Sequence, residues 1–359
     1  MLMNAVSRRR FLGSLAAIGA GALEVGGVSA QTPVPPMRWI DAHHHYVSPK
    51  WTSLLATKDL VPPQFAGWTP GKAIDTMDRA DVAMAVTWAA TYLAGPGAEF
   101  GDDEAIRPYA RDLNEYGARL VADYPRRFRF FAVLPLPDID AALEEITYAS
   151  DTLKADGFCF ATSYGDKWLG DAAFAQVFQE LERRQAIAYC HPTPAFCCRA
   201  VIGNLGDTVV EYGFNTTRAI MSLITDDAAL RYPNVRFIFS HAGGTLPFAI
   251  SRFVGREMVI GPDGTVGPSA IAGSRPLGSQ RLLALRQFYY DTAQQANPIA
   301  MSALRQTVPA TQILFGTDFP FTTMVDHVRG LQSAGVFNTD ELRAVAGDNV
   351  TRLLGLSAV

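Results

Sequence analysis

The sequence predicts an α/β fold, a closed (β/α)8 or TIM barrel, from three observations. Short apolar runs rich in Val, Ile, Phe and Tyr occur eight times and alternate with stretches of helical periodicity, which is typical of a parallel sheet connected by helices. No Gly-rich phosphate-binding turn follows the first run, whereas an open doubly wound sheet usually carries one there. Histidine and aspartate residues gather where the runs end, and barrels of this class build their sites at strand ends.

The predicted strands and helices follow one another in regular order. The strands are residues 39–45, 84–91, 128–134, 157–163, 186–191, 235–241, 288–292 and 313–318. The helices are residues 104–124, 139–155, 173–184, 216–230, 298–307 and 339–354. Residues 46–70 and 255–278 interrupt this order as irregular insertions. The second insertion is rich in Gly and Pro, and we interpret it as a lid or a subunit contact.

The composition excludes some classes of function. The 359 residues include 31 basic and 35 acidic ones, a formal net charge of −4, so the chain is not a strongly basic nucleic-acid-binding protein. Hydrophobic residues make up 48% and charged residues 18%, which predicts a large core. The four cysteines are Cys159, Cys190, Cys197 and Cys198. They are too few for a disulfide scaffold, and we interpret them as small buried residues, with a redox or metal role as the alternative.

Residues 1–30 predict a twin-arginine export signal. Three arginines at positions 8–10 precede an apolar, Gly- and Ala-rich stretch that Glu24 interrupts, and small residues follow at 28–30. The apolar stretch is shorter than the roughly 20 residues that span a bilayer. We therefore expect a periplasmic protein without stable membrane insertion after signal removal, with a single barrel domain over residues 31–359.

Four candidate metal ligands stand at three predicted strand ends. His43 and His45 are two positions apart on a strand, so both can face the barrel interior while His44 faces the helices. His191 ends the fifth predicted strand and Asp318 ends the eighth. Three imidazoles and a carboxylate with one open position are typical of a catalytic divalent site, which suits zinc, with manganese as the alternative. Taken singly, a histidine pair can also cap a strand, and an aspartate can also be a turn residue.

His241 is not needed to complete this metal set. It ends the sixth predicted strand beside the Gly243-Gly244 pair, so it is a candidate general acid or base, or an electrostatic clamp on a bound oxygen. The alternative is a buried structural histidine. We interpret His44 as structural and assign no role to His327.

Together these motifs resemble the amidohydrolase superfamily, in its branch of metal-dependent decarboxylases that includes aminocarboxymuconate semialdehyde decarboxylase. The motifs are DAHHH at 41–45, HP at 191–192, HAGG at 241–244 and GTDFPF at 316–321. Residues 127–138, 153–170 and 238–247 are most similar to 6-methylsalicylate decarboxylase-like proteins. The resemblance implies an amidohydrolase-type barrel with the metal ligands His43, His45, His191 and Asp318 and a catalytic His241.

Two substrate-binding residues are also implied by the resemblance. Arg252 matches an arginine that reaches a substrate carboxylate, in some members from a neighbouring subunit, and Phe321 matches an aromatic wall of the pocket. An exposed arginine on a helix is the alternative for Arg252. Dinuclear members carry a lysine after the fourth strand; none is in register here, with Lys167 as a weak exception, so one divalent metal ion is implied.

The expected function is metal-dependent decarboxylation of a small aromatic or enolic carboxylic acid, such as a hydroxybenzoate. In this hypothesis Asp318 protonates the carbon that loses CO2, and His241 polarises a substrate oxygen. The same ligands would also suit a metal-dependent hydrolase of a lactone, amide or ester. A non-catalytic periplasmic binding protein is the second alternative. A homodimer is expected only from the Arg252 analogy and from the insertion at 255–278.

Overall fold

The computed structural model describes residues 37–57, 61–89, 103–253, 258–260, 266–268 and 277–357. The predicted export signal lies outside these residues, as does most of the insertion at 255–278. Met37–Val359 forms one compact unit. Among the helices in the described ranges, none combines the length and the apolar character needed to cross a bilayer.

Eight parallel strands form one sheet in which each strand pairs with its neighbour in the sequence. They are β1 Trp39–His45, β2 Val82–Trp88, β3 Phe128–Val133, β4 Gly157–Ala161, β5 Ile187–His191, β6 Arg236–Phe239, β7 Tyr289–Asp291 and β8 Ile313–Leu314. The Ala42 N–H donates to the Phe315 carbonyl at 2.8 Å, and the Asp318 N–H donates to the His43 carbonyl at 2.9 Å. Because these bonds join β1 to the segment after β8, the sheet is nearly closed. The predicted (β/α)8 barrel is confirmed.

Helices connect the strands on the outside of the sheet. They are α1 Pro49–Thr57, α2 Pro70–Arg79, α3 Asp103–Asp123, α4 Ile139–Asp151, α5 Ala175–Arg184, α6 Asp207–Thr225, α7 Ala228–Arg231, α8 Leu246–Phe253, α9 Leu277–Gln287, α10 Pro298–Thr307, α11 Met324–Ser333, α12 Thr339–Arg343 and α13 Asn349–Leu353. A π-helical turn, Ala344–Asp348, joins the last two. Short 3-10 helices are Pro63–Phe65, Ala172–Phe174, Phe196–Cys198, His241–Gly243 and Ala310–Gln312. Two small antiparallel hairpins pair Ser163–Tyr164 with Lys167–Trp168 and Met258–Ile260 with Val266–Pro268.

Several helix starts are encoded locally. The Thr69 hydroxyl accepts from the Lys72 N–H just before Pro70, and Asn297 accepts from two N–H groups just before Pro298. α10 therefore begins and ends as predicted. The 46–70 segment, predicted to be irregular, instead contains α1, in which Trp51 and Leu55 are buried and the Trp51 ring packs on Tyr109 of α3.

The predicted sixth and eighth strands are too long. His241 and Asp318 have φ angles of 53° and 67°, so the chain leaves the strand conformation before it reaches them. The apolar run could not show this, because a left-handed residue at the end of a strand looks like the last residue of that strand in the sequence. Both side chains are thereby placed in turns above the barrel rather than in its wall.

Two helices also differ from prediction. α6 begins at Asp207, nine residues before the predicted start, and Gly213 lies inside it. Thr245 N–H donates to the Gly213 carbonyl, so this glycine marks a close approach of the segment after β6. The predicted final helix is divided by its π-helical turn, where Gly347 lies against the Arg38 carbonyl.

Candidate metal centre and active site

The four predicted ligands converge at the carboxyl-terminal end of the barrel. One ligand atom from each of His43, His45, His191 and Asp318 can be chosen so that all four atoms lie within 4.8 Å of one another, and all four residues are buried. His45 Nε2 lies 3.1 Å from His43 Nε2 and 2.7 Å from Asp318 Oδ1. The structure therefore brings together side chains that are up to 275 positions apart in the chain.

Asp41 fixes the strand that carries the histidine pair. Its carboxylate accepts from the His43 N–H at 3.0 Å, from the Thr317 N–H at 2.9 Å and from the Thr317 hydroxyl at 2.6 Å. The pairing of β1 with β2 shifts register between Asp41 and His44, so the strand is irregular where the ligands leave it. Asp41 thus holds the segment that carries His43 next to the segment that carries Asp318.

Asp291, at the end of β7, is the main site residue that the sequence reasoning missed. Its Oδ2 lies 3.0 Å from His43 Nδ1 and accepts a hydrogen bond from the Tyr189 hydroxyl. Its Oδ1 accepts from the N–H groups of His241 at 2.9 Å and Ala293 at 3.0 Å. The available signal was an aspartate inside the apolar run FYYDT, since a charged residue in such a position is rarely left without a partner.

The tautomer of His43 suits metal binding. When neutral, the ring donates from Nδ1 to Asp291, which leaves a lone pair on Nε2 facing His45 and Asp318. A buried carboxylate behind a ligating imidazole is the usual arrangement around bound divalent ions. Three imidazoles and one carboxylate that face a shared point, with this support behind them, fit one divalent metal ion.

The charges within the site shift several pKa values. Burial lowers the pKa of His43, but the nearby carboxylates of Asp291 and Asp318 outweigh it and raise that pKa to about 10. Burial lowers the pKa of His45 to about 4 and holds that of His191 well below its ordinary value. Burial raises the pKa of Asp318, but His43 and the other imidazoles outweigh this and hold it well below its ordinary value. In the metal-free site a protonated His43 therefore lies between the carboxylates of Asp291 and Asp318.

His241 lies above this ligand set, next to the cavity. Its Nε2 is 3.5 Å from Asp318 Oδ2, and its ring stacks on the His43 ring with centroids 5.0 Å apart. The turn needs Gly244, whose φ is 67° and where a Cβ would lie 2.1 Å from the Gly213 carbonyl oxygen. The glycine pair thus lets α6 approach the site closely.

A cavity of about 660 Å3 opens beside the ligands. His191, His241 and Asp318 line its inner part. Gln294, which the sequence reasoning missed, also lines it and donates to Asp318 Oδ2. Large apolar side chains line the outer part: Val209, Phe214, Phe248 and Phe321. Among the described residues that line the cavity there is no lysine or arginine.

The two predicted substrate-binding residues are placed differently. Phe321 lines the cavity, with its ring centroid 5.7 Å from that of His45. Arg252 is exposed near the end of α8 and does not line the cavity within one chain. Lys167 is exposed on a hairpin, where it lies 3.4 Å from Asp166.

The histidines outside the ligand set also have defined positions. His44 stacks on Phe319 and contacts Asp41, and His327 Nε2 lies 2.8 Å from the Thr292 carbonyl oxygen. Trp88, at the end of β2, packs against His45 with the two ring centroids 4.2 Å apart. The sequence analysis did not select Trp88 as a site residue. The interpretation of all four cysteines as buried is wrong for two of them, because Cys197 is exposed and Cys198 is partly exposed.

The sequence matches a protein-family model described as amidohydrolase over residues 40–356. The chain belongs to this family. It is 35% identical to 6-methylsalicylic acid decarboxylase of Penicillium expansum over 292 residues, which cover 79% of this chain and 85% of the relative. The expected kinship with metal-dependent decarboxylases is thereby confirmed.

Solved structures of decarboxylases have the same barrel fold as this chain. The 5-carboxyvanillate decarboxylase of Sphingomonas paucimobilis superposes with a TM-score of 0.74 at 19% identity, covering 89% of this chain and all of that one. A dihydroxybenzoic acid decarboxylase of Polaromonas was solved with bound manganese and the inhibitor 2-nitroresorcinol. It superposes with a TM-score of 0.72 at 18% identity, covering 89% of this chain and 98% of that one. At such identities the superpositions show the shared barrel.

Proposed function

We propose that this protein is a metal-dependent carboxy-lyase that removes CO2 from a hydroxybenzoate with a single carboxyl group and an apolar ring substituent, as in 6-methylsalicylate. One observation carries the proposal: a buried His3Asp ligand set lies at the inner end of a cavity with an apolar outer wall. The 35% identical relative named for 6-methylsalicylic acid supports the same substrate class.

Within one chain, the lining of the cavity favours an apolar ring substituent over a second carboxyl group. The substrate carboxylate would meet its positive partners at the inner end, where the metal ligands and His241 lie. A second carboxylate in the outer part would lie beside the exposed apolar side chains of Val209, Phe248 and Phe321, where the described lining residues of the same chain offer it no cation. A methyl group gains from the same contacts.

His43, His45, His191 and Asp318 would hold the metal ion, and we propose zinc, with manganese as the alternative because both accept this mixed nitrogen and oxygen set. When bound, the ion would act as a Lewis acid toward the substrate carboxylate and the adjacent hydroxyl oxygen. The metal requirement is tested by chelation followed by reloading with each ion separately.

Asp318 and His241 are proposed to manage the proton. Protonation of the ring carbon that bears the carboxylate removes its aromaticity and allows the bond to CO2 to break, with the bonding electrons returning to the ring. Asp318, which is ionised because its pKa is held low, first takes up this proton from solvent and then delivers it to the ring carbon, while His241 Nε2, 3.5 Å from Asp318 Oδ2, polarises the substrate oxygen. Gln294 orients the Asp318 carboxylate by donating to Oδ2.

A substrate panel tests the function. The metal-loaded protein is incubated with 6-methylsalicylate, a benzene dicarboxylic acid with the same hydroxyl group, and a set of lactones and esters. CO2 release from the first compound supports the proposal. Acid release from a lactone or ester would instead favour the hydrolase, and metal binding without turnover on any compound would favour a binding protein.

Two further proposals concern the cell and the assembly. We propose export to the periplasm through the signal at residues 1–30, which cell fractionation tests. We also propose a homodimer in which Arg252 reaches the cavity of the partner, since it lies outside the cavity of its own chain. Light scattering gives the oligomeric state, and Arg252→Ala should raise KM more than it lowers kcat.

A further inference from the structure

Two accessible thiols lie on the segment between β5 and α6 and take no part in the proposed decarboxylation. Cys197 and Cys198 belong to the 3-10 helix Phe196–Cys198, and their Sγ atoms are 2.7 Å apart. Cys197 is exposed and Cys198 is partly exposed, whereas Cys159 and Cys190 are buried. The chain therefore carries one pair of thiols that solvent can reach and two thiols that it cannot reach.

We propose that Cys197 and Cys198 form a reversible redox site, which a small disulfide such as glutathione disulfide oxidises to a bridge between the two neighbouring residues. The thiolate of Cys197 attacks the small disulfide, which releases one small thiol and leaves a mixed disulfide. The thiolate of Cys198 then attacks the Cys197 sulfur and releases the second small thiol. The protein thiols lose two electrons and two protons, and the small disulfide gains them.

The order of the two steps follows from exposure and charge. Cys197 is the more exposed thiol, so it meets the small disulfide first. The hydrogen bond with Cys197 raises the pKa of the Cys198 thiol, so Cys198 does not react first. Arg218, whose Nη2 lies 3.9 Å from Cys198 Sγ, opposes this rise and supports the Cys198 thiolate in the second attack, after Cys197 has entered the mixed disulfide. Glu211 Oε2, 3.7 Å from Arg218 Nη1, helps to hold the guanidinium there.

The bridge is expected to be easily reduced. Neighbouring Cα atoms are about 3.8 Å apart across a trans peptide, below the roughly 4.4 Å at which ordinary disulfides begin. The ring closed by two neighbouring cysteines is therefore strained, and strained, exposed disulfides are the labile ones. A site of this kind responds to the redox state of its surroundings rather than fastening the fold.

The thiol pair lies on the connection between a metal ligand and the wall of the cavity. It follows His191 by six residues and precedes α6, whose Val209 and Phe214 line the cavity. The Ala200 N–H donates to Asp207 Oδ1 at 2.9 Å, which joins this connection to the first residue of α6. We therefore expect oxidation to change the KM of the enzyme several-fold, a consequence that rests on the proposed function.

The experiment treats the reduced, metal-loaded full chain with glutathione disulfide, traps the remaining thiols with iodoacetamide and measures intact and peptide masses. The expected wild-type product has lost two hydrogens, carries no glutathione and has a bridged 197–198 peptide. Cys159 and Cys190 should stay reduced and serve as internal controls. Cys198→Ser should instead keep a glutathione adduct on Cys197, and Arg218→Gln should accumulate the mixed disulfide because the second step slows.

Three outcomes would overturn the proposal. They are a stable glutathione adduct on the wild-type chain, a disulfide between two chains, and no reaction of the pair under conditions that oxidise a free dithiol. The masses require no activity, so this result is independent of the proposed function. If the bridge forms, an unchanged KM for an active substrate would overturn the expectation that oxidation acts on the cavity. The double Cys→Ser variant is the control, because its KM should not respond to glutathione disulfide.

Discussion

The His43 ring and the Asp291 carboxylate meet at 3.0 Å although they are 248 positions apart in the chain. Both side chains are fully buried. The contact joins the first strand to the seventh beneath the metal ligands. It orients the Nε2 lone pair of His43, and the other Asp291 oxygen anchors the His241 backbone. One carboxylate therefore positions both a proposed metal ligand and the candidate catalytic histidine.

Asp291→Asn should weaken metal binding by about 10- to 100-fold once the affinity is corrected for the proton that leaves His43, because the amide keeps the shape but not the charge that supports His43. Competition with a chromophoric chelator measures the affinity, and excess metal should restore part of the activity. Asp156→Asn is the control, since Asp156 is a partly buried carboxylate next to Arg129 that does not contact the ligand set. Equal metal affinities of the two variants would contradict the role of Asp291.

Asp318→Asn should lower kcat by at least about a hundredfold, because the amide cannot deliver a proton to the substrate carbon. The three histidines still offer a metal site, so some metal should remain bound at high concentration. Atomic absorption gives the metal content and a CO2 assay gives the turnover. Full activity of a metal-loaded variant would refute the assignment, and Asp166→Asn, at an exposed position, is the control.

Metal binding near neutral pH should release a proton from His43. The pKa of His43 is raised from 6.5 to about 10 in the metal-free site, so the imidazolium must lose its proton before Nε2 can bind a cation. Affinity should therefore rise with pH up to about 10, by as much as about tenfold per pH unit. Calorimetry in two buffers of different ionisation enthalpy counts the released proton. Asp291→Asn should release less, since the carboxylate that holds the proton is gone.

The same linkage acts on the stability of the metal-free protein. A histidine whose pKa is raised on folding stabilises the fold fully below the unfolded value, here 6.5, and this contribution is lost as the pH rises through about 10. Thermal unfolding of the metal-free chain should therefore show a contribution from His43 that declines above pH 6.5. If this decline is absent in Asp291→Asn, the His43–Asp291 pair is responsible for it. An identical decline in that variant would show that the His43–Asp291 pair is not its cause.

Gly316→Ala should destabilise the protein by about 1–3 kcal/mol and weaken metal binding. A Cβ there would lie 2.8 Å from the His43 Cβ and 3.0 Å from the Asp291 Cβ, atoms that cannot move without moving their strands. Denaturant unfolding and metal titration measure the two effects. Gly71→Ala is the control, because nothing lies within 4 Å of its added Cβ, and its stability should stay close to wild type.

The strand pattern was readable from the sequence because it depends on local burial. β1 and α10 occur with the predicted bounds, since an apolar run and a capping Asn297 before Pro298 are local signals. The interior of α6 around Gly213 and the helix α1 were missed. In both cases packing against distant segments overrides local preference, as shown by the approach of Thr245 to Gly213.

The sequence alone was enough to select His43, His45, His191 and Asp318 as candidates. The end of each strand can be recognised in the sequence, and in a barrel the carboxyl-terminal ends of all strands lie on the same side. Only the tertiary structure determined which residues support these four side chains and which lie next to them in the cavity. The support of His43 by Asp291, the Gln294 bond to Asp318, the outward position of Arg252 and the left-handed turns at His241 and Asp318 depend on contacts between segments far apart in the chain. No local pattern records such contacts, since they form only when the barrel closes.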